Sequence, residues 1–133
     1  MKGSYVLIIE LPNDAVISVG KLGKLSFTKG YYIYVGSALN NLEKRVKRHL
    51  SRRKKFHWHI DHFLKFAVVR RVLFKESRER EECKLAKELA KKFTCIKGFG
   101  SSDCKCESHF FHSKSLEEAE NECKKLGMKL LEV

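Results

Sequence analysis

The chain has 133 residues, the length of one domain, and 43% of them are hydrophobic, which excludes a disordered protein and allows a real core. Its longest apolar runs, such as residues 6–9, fall far short of the roughly 20 residues of a bilayer-crossing helix, and no secretory signal is recognisable at its start. Twenty-eight Lys and Arg against sixteen Asp and Glu leave a net charge of +12, which attracts polyanions. We therefore expect a cytoplasmic protein with nucleic acid as its first candidate partner and an anionic membrane surface as the second.

The first half of the chain alternates strand and turn signals before two helices. Residues 3–11 predict a strand, 15–19 with 24–28 a hairpin, and 31–36 a further strand. Leu39, Leu42, Val46 and Leu50 follow helical spacing, and Asn40 or Asn41 can cap that helix. A short helix over 57–66 and a strand over 67–74 come next.

The second half begins with the best-defined helix, predicted over residues 77–93, and continues with a loop over 97–107 and a short strand over 109–112. Ser115 and Glu118 form a capping box that opens the last helix, and a strand over 128–133 closes the chain. The order predicts an α/β (α+β) fold in which helices flank one small mixed, largely antiparallel central sheet. We expect a single domain over 1–133, with a core at about 3–93 and an extension over 94–133.

A basic segment over residues 44–55 holds eight Lys or Arg in twelve positions. Such a run is usually an exposed helix face. Arg45 and His49, however, flank the Leu42–Val46 stripe, so they could jointly hold a phosphate, and we favour that interpretation given the net charge. The nucleic-acid contacts predicted here are Lys44, Arg48, Arg52, Arg53, Lys54, Lys55 and His57.

Glu82 is predicted to lie at the centre of the apolar face of the third helix, between the directions of Leu85 and Ala86. A carboxylate there needs a partner, since an unpaired buried charge is costly. A salt bridge to an arginine of another element and a site for a hard divalent cation are both consistent with this position. The strand tyrosines, including Tyr5 and Tyr34, would alone indicate only packing.

Together these residues resemble the GIY-YIG nuclease superfamily. Gly3-Ser4-Tyr5 corresponds to the first triplet and Tyr34-Val35-Gly36 to the second, followed by Arg45, His49 and Glu82. The two triplets lie further apart than is usual, because the predicted hairpin is inserted between them. More narrowly, the chain resembles a mainly archaeal GIY-YIG-like branch that is sometimes fused to endonuclease III. The residues that carry this likeness are His57 to Asp61, Glu82-Cys83, the run from Gly98 to Cys106 that includes Asp103, and Ser108-His109.

The resemblance implies a divalent-metal-dependent nuclease acting on DNA, in repair or recombination and with possible repair-protein partners. Glu82 would hold one Mg²⁺ or Mn²⁺, and Arg45 would stabilise the scissile phosphate in the transition state. Tyr5 would deprotonate or orient the water, supported by Tyr34 and His49, and His49 is the alternative base. An inactive basic nucleic-acid-binding module with the same fold is the main alternative function.

The remaining polar clusters leave several interpretations open. His57, His59 and Asp61 would share a face only in a strand, so a metal site there is disfavoured. Cys104-x-Cys106 with Cys83, Cys95 and His109 could form a disulfide, stay reduced or bind zinc. A structural zinc is not expected, since C-x-C alone matches known zinc spacings poorly. A disulfide is favoured over zinc only in a thermophile, to which the Lys- and Glu-rich, Gln-free composition points.

Overall fold

The structure is a computed structural model that describes residues 1–102 and 104–132. Asp103, part of the motif at 98–106, and Val133, the end of the last predicted strand, lie outside these residues. The strands are β1 (Gly3–Leu11), β2 (Ala15–Ser18), β3 (Lys24–Phe27), β4 (Gly30–Ala38), β5 (Val68–Glu76), β6 (Thr94–Cys95), β7 (Phe110–Ser113) and β8 (Lys129–Leu130). The helices are α1 (Leu42–Leu50), α2 (His59–Leu64), α3 (Glu82–Ala90) and α4 (Leu116–Lys125).

Six strands form one sheet in the order β6-β7-β4-β1-β5-β8, and β2 pairs with β3 in a separate hairpin. Every strand pair in the described chain is antiparallel. The predicted α+β class with its central sheet and inserted hairpin is therefore confirmed. Residues after 93 supply β6 and β7 at one edge and β8 at the other, so this segment completes the sheet on both sides. No helix within 1–102 or 104–132 combines the length and apolar character needed to cross a bilayer.

The central strand β1 divides the core between the two faces of the sheet. Tyr5, Leu7 and Ile9 point to one face, where α1, α2 and the hairpin pack. Val6 and Ile8 point to the other face, against α3 and α4. This alternation follows from the two-residue period of a strand, and it places Tyr5 on the same side as the basic helix α1.

Gly36 and Gly3 have packing reasons to be glycine. Tyr5 and Gly36 are directly paired across β1 and β4, and a Cβ on Gly36 would overlap the phenol ring of Tyr5. A Cβ on Gly3 would overlap the backbone of Lys75 on β5. The absence of a side chain on Gly36 thus leaves room for the Tyr5 ring to lie over the sheet.

Some predicted boundaries were wrong because of contacts distant in sequence. The helix expected from residue 77 begins at Glu82, since the chain stays extended through Glu76 and the Ser77 N–H donates to the Lys2 carbonyl at 3.2 Å. The helix expected over 57–66 is limited to α2, and the last strand is limited to β8. In the α1 stripe, Leu42 and Val46 are buried, whereas Leu39 and Leu50 are each 38% exposed.

Candidate functional site

A cleft lies where β1, β4, α1 and the start of α3 meet the loop before β7. Four of the predicted catalytic residues line it: Tyr5, Tyr34, Arg45 and Glu82. The same cleft is lined by residues that the sequence did not single out for catalysis, among them Trp58, Arg80, Gly100, Cys104 and His109. His49 does not line the cleft but lies directly behind Tyr5.

Tyr5 and His49 form a buried hydrogen-bonded pair. The Tyr5 hydroxyl lies 2.7 Å from Nε2 of His49, and the two residues are each 2% exposed. Burial, with a smaller effect of the Lys54 charge, lowers the pKa of His49 to about 3, so its imidazole is neutral at physiological pH. Burial also raises the pKa of Tyr5, against the opposing influence of Arg45. Because His49 is buried behind Tyr5, the predicted joint grip of Arg45 and His49 on a phosphate does not form.

Arg45 enters the cleft from α1 and is held there by two contacts. Its Nη1 donates to the Ser37 carbonyl at 3.1 Å, and its guanidinium lies 4.8 Å from the centre of the Trp58 ring. The carbonyl bond and the stacking orient the planar group and leave its other donors available. An oriented guanidinium beside a tyrosine hydroxyl is suited to binding a phosphate.

Glu82 is the first residue of α3. It does not lie at the centre of the buried face of the helix, so that prediction was wrong. The buried residues of α3 are Leu85, Ala86 and Leu89, whereas the Glu82 side chain is 20% exposed and lines the cleft. Its one ion pair in the described chain is with Arg80, at 3.7 Å, and the Arg80 side chain is 65% exposed. The later start of the helix causes this shift and leaves the carboxylate within reach of a ligand.

The predicted nucleic-acid contacts divide into exposed and internal groups. The exposed members are Lys44, Arg52, Arg53, Lys55 and His57. Lys54 is not a surface contact, because its side chain is 8% exposed and its ammonium donates to the His49 carbonyl at 2.7 Å. Arg48 binds the Asp61 carboxylate through both of its terminal nitrogens and lies 4.3 Å from the centre of the Trp58 ring.

Asp61 is the centre of a buried polar network. Its Oδ2 accepts the backbone N–H groups of His57 at 2.7 Å and Trp58 at 2.9 Å, which fixes the start of α2. Burial alone would raise the pKa of Asp61, but the bonds from Arg48 and these N–H groups outweigh it and lower the pKa to about 2. Among the described residues, His57, His59 and Asp61 do not come together as a group that could hold a metal ion.

Four side chains from α3 and the loop before β7 form a group that could hold a metal ion. The ligand atoms of Cys83, Cys104, Cys106 and His109 all lie within 4.8 Å of one another. Nε2 of His109 is 3.4 Å from Sγ of Cys104 and 3.7 Å from Sγ of Cys83. We call these residues the cysteine cluster. Zinc was not expected from the sequence, because the spacing of Cys104 and Cys106 alone is not typical of a zinc site. The fold brings Cys83 and His109 to this pair as the third and fourth donors.

The other cysteines lie outside the cluster, and all five are free thiols. Cys95, expected as a disulfide or zinc candidate, lies beside Glu107, and Cys123 is buried in the core. Burial, reinforced by the neighbouring thiols of Cys106 and Cys104, raises the pKa of Cys83 to about 12. Binding a soft cation would displace the protons of these thiols, because the charge of the cation offsets the repulsion between neighbouring thiolates.

The cysteine cluster and the cleft are adjacent. Cys104 and His109 line the cleft as well as belonging to the cluster, and Cys83 directly follows Glu82. An ion in the cluster would therefore hold the start of α3, and with it Glu82, against the loop that forms the opposite side of the cleft.

A family model described as "Domain of unknown function DUF123" matches residues 4–132. No curated protein and no solved structure matches the chain. The family match includes every residue of the cleft and of the cysteine cluster.

Proposed function

We propose that this chain, which belongs to the DUF123 family, is a divalent-metal-dependent nuclease that hydrolyses phosphodiester bonds in DNA. The observation that carries the proposal is the convergence of Tyr5, Tyr34, Arg45 and Glu82 on one cleft, with His49 bonded to Tyr5. These side chains come from β1, β4, α1 and α3, and they are the set that the resemblance to the GIY-YIG superfamily implies. A role in repair or recombination rests on that resemblance alone.

The carboxylate of Glu82 suits the single Mg²⁺ or Mn²⁺ that the proposal requires. Mg²⁺ is commonly held by one or two carboxylates, with water and substrate phosphate oxygens completing the shell. Glu82 is partly exposed at the cleft and its partner Arg80 is an exposed surface side chain, so the carboxylate is accessible. When bound, the ion would act as a Lewis acid on the phosphoryl oxygens.

The remaining cleft residues have separate tasks. Arg45 binds the scissile phosphate and stabilises the negative charge that develops on it. Tyr5 orients the attacking water and takes its proton as a phenolate, the form that the charges of Arg45 and of a bound ion would favour. The neutral His49 holds Tyr5 in place through the bond between Nε2 and the hydroxyl. Tyr5 fits the role of base better than His49, because the imidazole reaches the cleft only through the Tyr5 hydroxyl.

The cysteine cluster supports zinc as a second, structural ion. Three thiols and one imidazole are a preferred donor set for tetrahedral Zn²⁺ and a poor one for Mg²⁺ or Mn²⁺, which favour oxygen ligands. The proposal therefore assigns different ions to two adjacent sites. The cysteine cluster would hold zinc and so stabilise the loop, and Glu82 would hold the Mg²⁺ or Mn²⁺ that supplies Lewis-acid chemistry.

The decisive experiment compares the wild type with Glu82→Ala and Arg45→Ala on labelled single-stranded, duplex and branched DNA, with Mg²⁺, Mn²⁺ or EDTA. We expect metal-dependent cleavage by the wild type and a loss of about 10²-fold or more in both variants. Glu88→Ala is the matched control and should cleave normally, because Glu88 is an α3 glutamate that pairs with Lys91 and does not line the cleft. Glu82→Ala should change the free energy of unfolding by less than about 1 kcal/mol, because its ion pair is at the surface.

Salt-sensitive binding without cleavage of any substrate would instead support the nucleic-acid-binding module. A large loss of stability in Glu82→Ala would identify Glu82 as a structural partner of Arg80 and would contradict its role as a metal ligand.

A further inference from the structure

A second pocket adjoins the cleft along the side formed by α2 and the loop before β7. It is lined by Tyr34, His57, Trp58, His59, Gly100 and Ser102. Tyr34, Trp58 and Gly100 line the cleft as well, so the two spaces share one wall. A ligand that places a phosphate beside Arg45 therefore has its neighbouring group at the mouth of this pocket.

Aromatic rings dominate the lining of the pocket. The His57 and Trp58 rings are 5.0 Å apart in an edge-to-face arrangement, and the His57 side chain is exposed. The guanidinium groups of Arg45 and Arg48 lie 4.8 Å and 4.3 Å from the centre of the Trp58 ring and hold it in place. The exposed His57 ring thus offers a face for another flat ring, and its edge-to-face contact with Trp58 holds it in position.

The polar groups of the pocket are also oriented. Nδ1 of His59 accepts the Gly100 N–H at 2.9 Å, so in the neutral ring Nε2 carries the proton and is a donor. Burial lowers the pKa of His59, which favours that neutral form. The Ser102 hydroxyl adds a group that can donate or accept. These groups match the polar edge of a nucleobase rather than a phosphate, which would prefer charged donors.

We propose that this pocket binds an unpaired nucleobase next to the phosphate that is cut, an inference that rests on the proposed nuclease function. In a duplex each base is stacked on both sides and paired at its edge, so only an unpaired or flipped-out base can enter a side pocket. The substrate class is therefore DNA with a single-stranded nucleotide at the cleavage site. His57, predicted to contact a phosphate, contacts a base in this arrangement.

The test measures binding of the full chain in EDTA to two single strands of equal charge, a thymidine decamer and an abasic decamer. Trp58 is the one tryptophan of the chain, so its fluorescence reports on the pocket. We expect the wild type to bind the thymidine decamer about tenfold more tightly, since stacking one base supplies an effect of that order. The thymidine decamer alone should quench Trp58.

The variants His57→Ala and Lys44→Ala separate base from phosphate recognition, because both side chains are exposed but only His57 lines the pocket. His57→Ala should reduce the tenfold preference severalfold. Lys44→Ala should weaken both decamers equally and keep the ratio.

Equal affinity of the wild type for the two decamers, or a preference that His57→Ala leaves unchanged, would overturn the pocket proposal. This failure is distinct from failure of the nuclease proposal, which the cleavage assay decides. Cleavage without base preference would contradict only the pocket proposal, and base preference without cleavage would contradict only the nuclease proposal.

Discussion

His49 illustrates how burial changes the chemistry available to one residue. An exposed histidine on a basic helix would be a phosphate contact, but this one is 2% exposed and bonded to Tyr5. Its pKa of about 3 keeps the ring uncharged, so it can accept a hydrogen bond from Tyr5 at any physiological pH. In the proposed mechanism the hydroxyl group that acts in the cleft is therefore that of Tyr5, and His49 positions it.

The low pKa of His49 predicts a specific pH dependence of stability. Below about pH 6.5 the unfolded chain protonates this imidazole, whereas the folded protein does so only near pH 3. The free energy of unfolding should therefore fall as the pH is lowered through this window, with His49 contributing up to about 1.4 kcal/mol per pH unit. Urea denaturation between pH 7 and pH 5 should show a shallower decline for His49→Gln than for the wild type.

That interval lies above the range in which Asp61 titrates, since the pKa of this carboxyl is about 2. His59 and His109 also have lowered pKa values because of burial, but they contribute equally to wild type and variant. Identical slopes for the two proteins would mean that His49 is not buried as a neutral ring.

At the level of elements, α3 and the loop before β7 are joined mainly by side chains that could share an ion. Cys83 lies at the first turn of α3, and Cys104, Cys106 and His109 lie on or beside the loop. Backbone bonds from Gly98 to Glu107 and from His109 to Phe99, together with the burial of Phe99, order the base of the described part of this loop, and an ion in the cluster would add a cross-link to α3. Metal binding would thus set the width of the cleft.

Purified protein should contain about one zinc per chain, measured by elemental analysis, and zinc removal should lower its melting temperature. Cys106→Ser should lose most of the metal, with a decrease in affinity larger than the roughly 10–100-fold seen for indirect ligand contacts. Cys95→Ser is the matched control, since Cys95 is a partly exposed thiol outside the cluster. Equal zinc content in both variants, or no zinc in the wild type, would contradict the assignment.

Sequence patterns predicted the elements whose signals are local. β1 matches its predicted range, because its apolar run ends at Pro12-Asn13-Asp14, and α4 begins after its capping serine. The start of α3 was missed because a backbone bond between Ser77 and Lys2 extends the sheet, and no local signal reports a contact across the chain. The two-residue strand β6 is equally invisible in a single sequence.

The same distinction applies to the site. Tyr5, Arg45 and Glu82 were predicted through motif resemblance, and spacing alone would not have joined them. The cysteine cluster was underestimated because Cys83 and His109 are separated by 26 positions and meet only in the folded chain. Trp58 carried a detectable signal, as the one tryptophan beside the basic segment, but its stacking with Arg45 and Arg48 depends on Asp61.

For the whole molecule, the basic side chains behind the net charge of +12 differ in how accessible they are to a ligand. Exposed basic residues lie in the segment between α1 and α2: Arg52, Arg53 and Lys55. Both helices pack on the face of the sheet that carries Tyr5, so this segment is on the same side of the sheet as the cleft. Arg48 and Lys54 are engaged with Asp61 and contribute to the field without being free for contact. Long-range attraction therefore uses the full charge, whereas phosphate contacts use the exposed subset.

The exposed subset predicts a change in the salt dependence of DNA binding. Replacing Arg52, Arg53 and Lys55 together by alanine should reduce the slope of log K against log salt for single strands by about 2, at roughly 0.7 per phosphate contact. Replacing Lys92, Lys114 and Lys129, which are exposed beside α3, α4 and on β8, removes the same charge elsewhere. DNA-binding titrations at salt concentrations from about 50 mM to about 300 mM measure both slopes. Equal slopes for the two triple variants would indicate binding through net charge alone.

Cys104 and His109 belong to both the cysteine cluster and the wall of the cleft, so an ion in the cluster and a substrate in the cleft would be thermodynamically linked. Any factor by which an ion in the cluster strengthens substrate binding is, by reciprocity, the factor by which substrate strengthens retention of the ion. With favourable coupling, the chain would hold an ion in the cluster most tightly while a substrate is bound in the cleft. Metal would then be lost from the substrate-free protein, so a shortage of zinc would first affect the molecules that have no substrate bound.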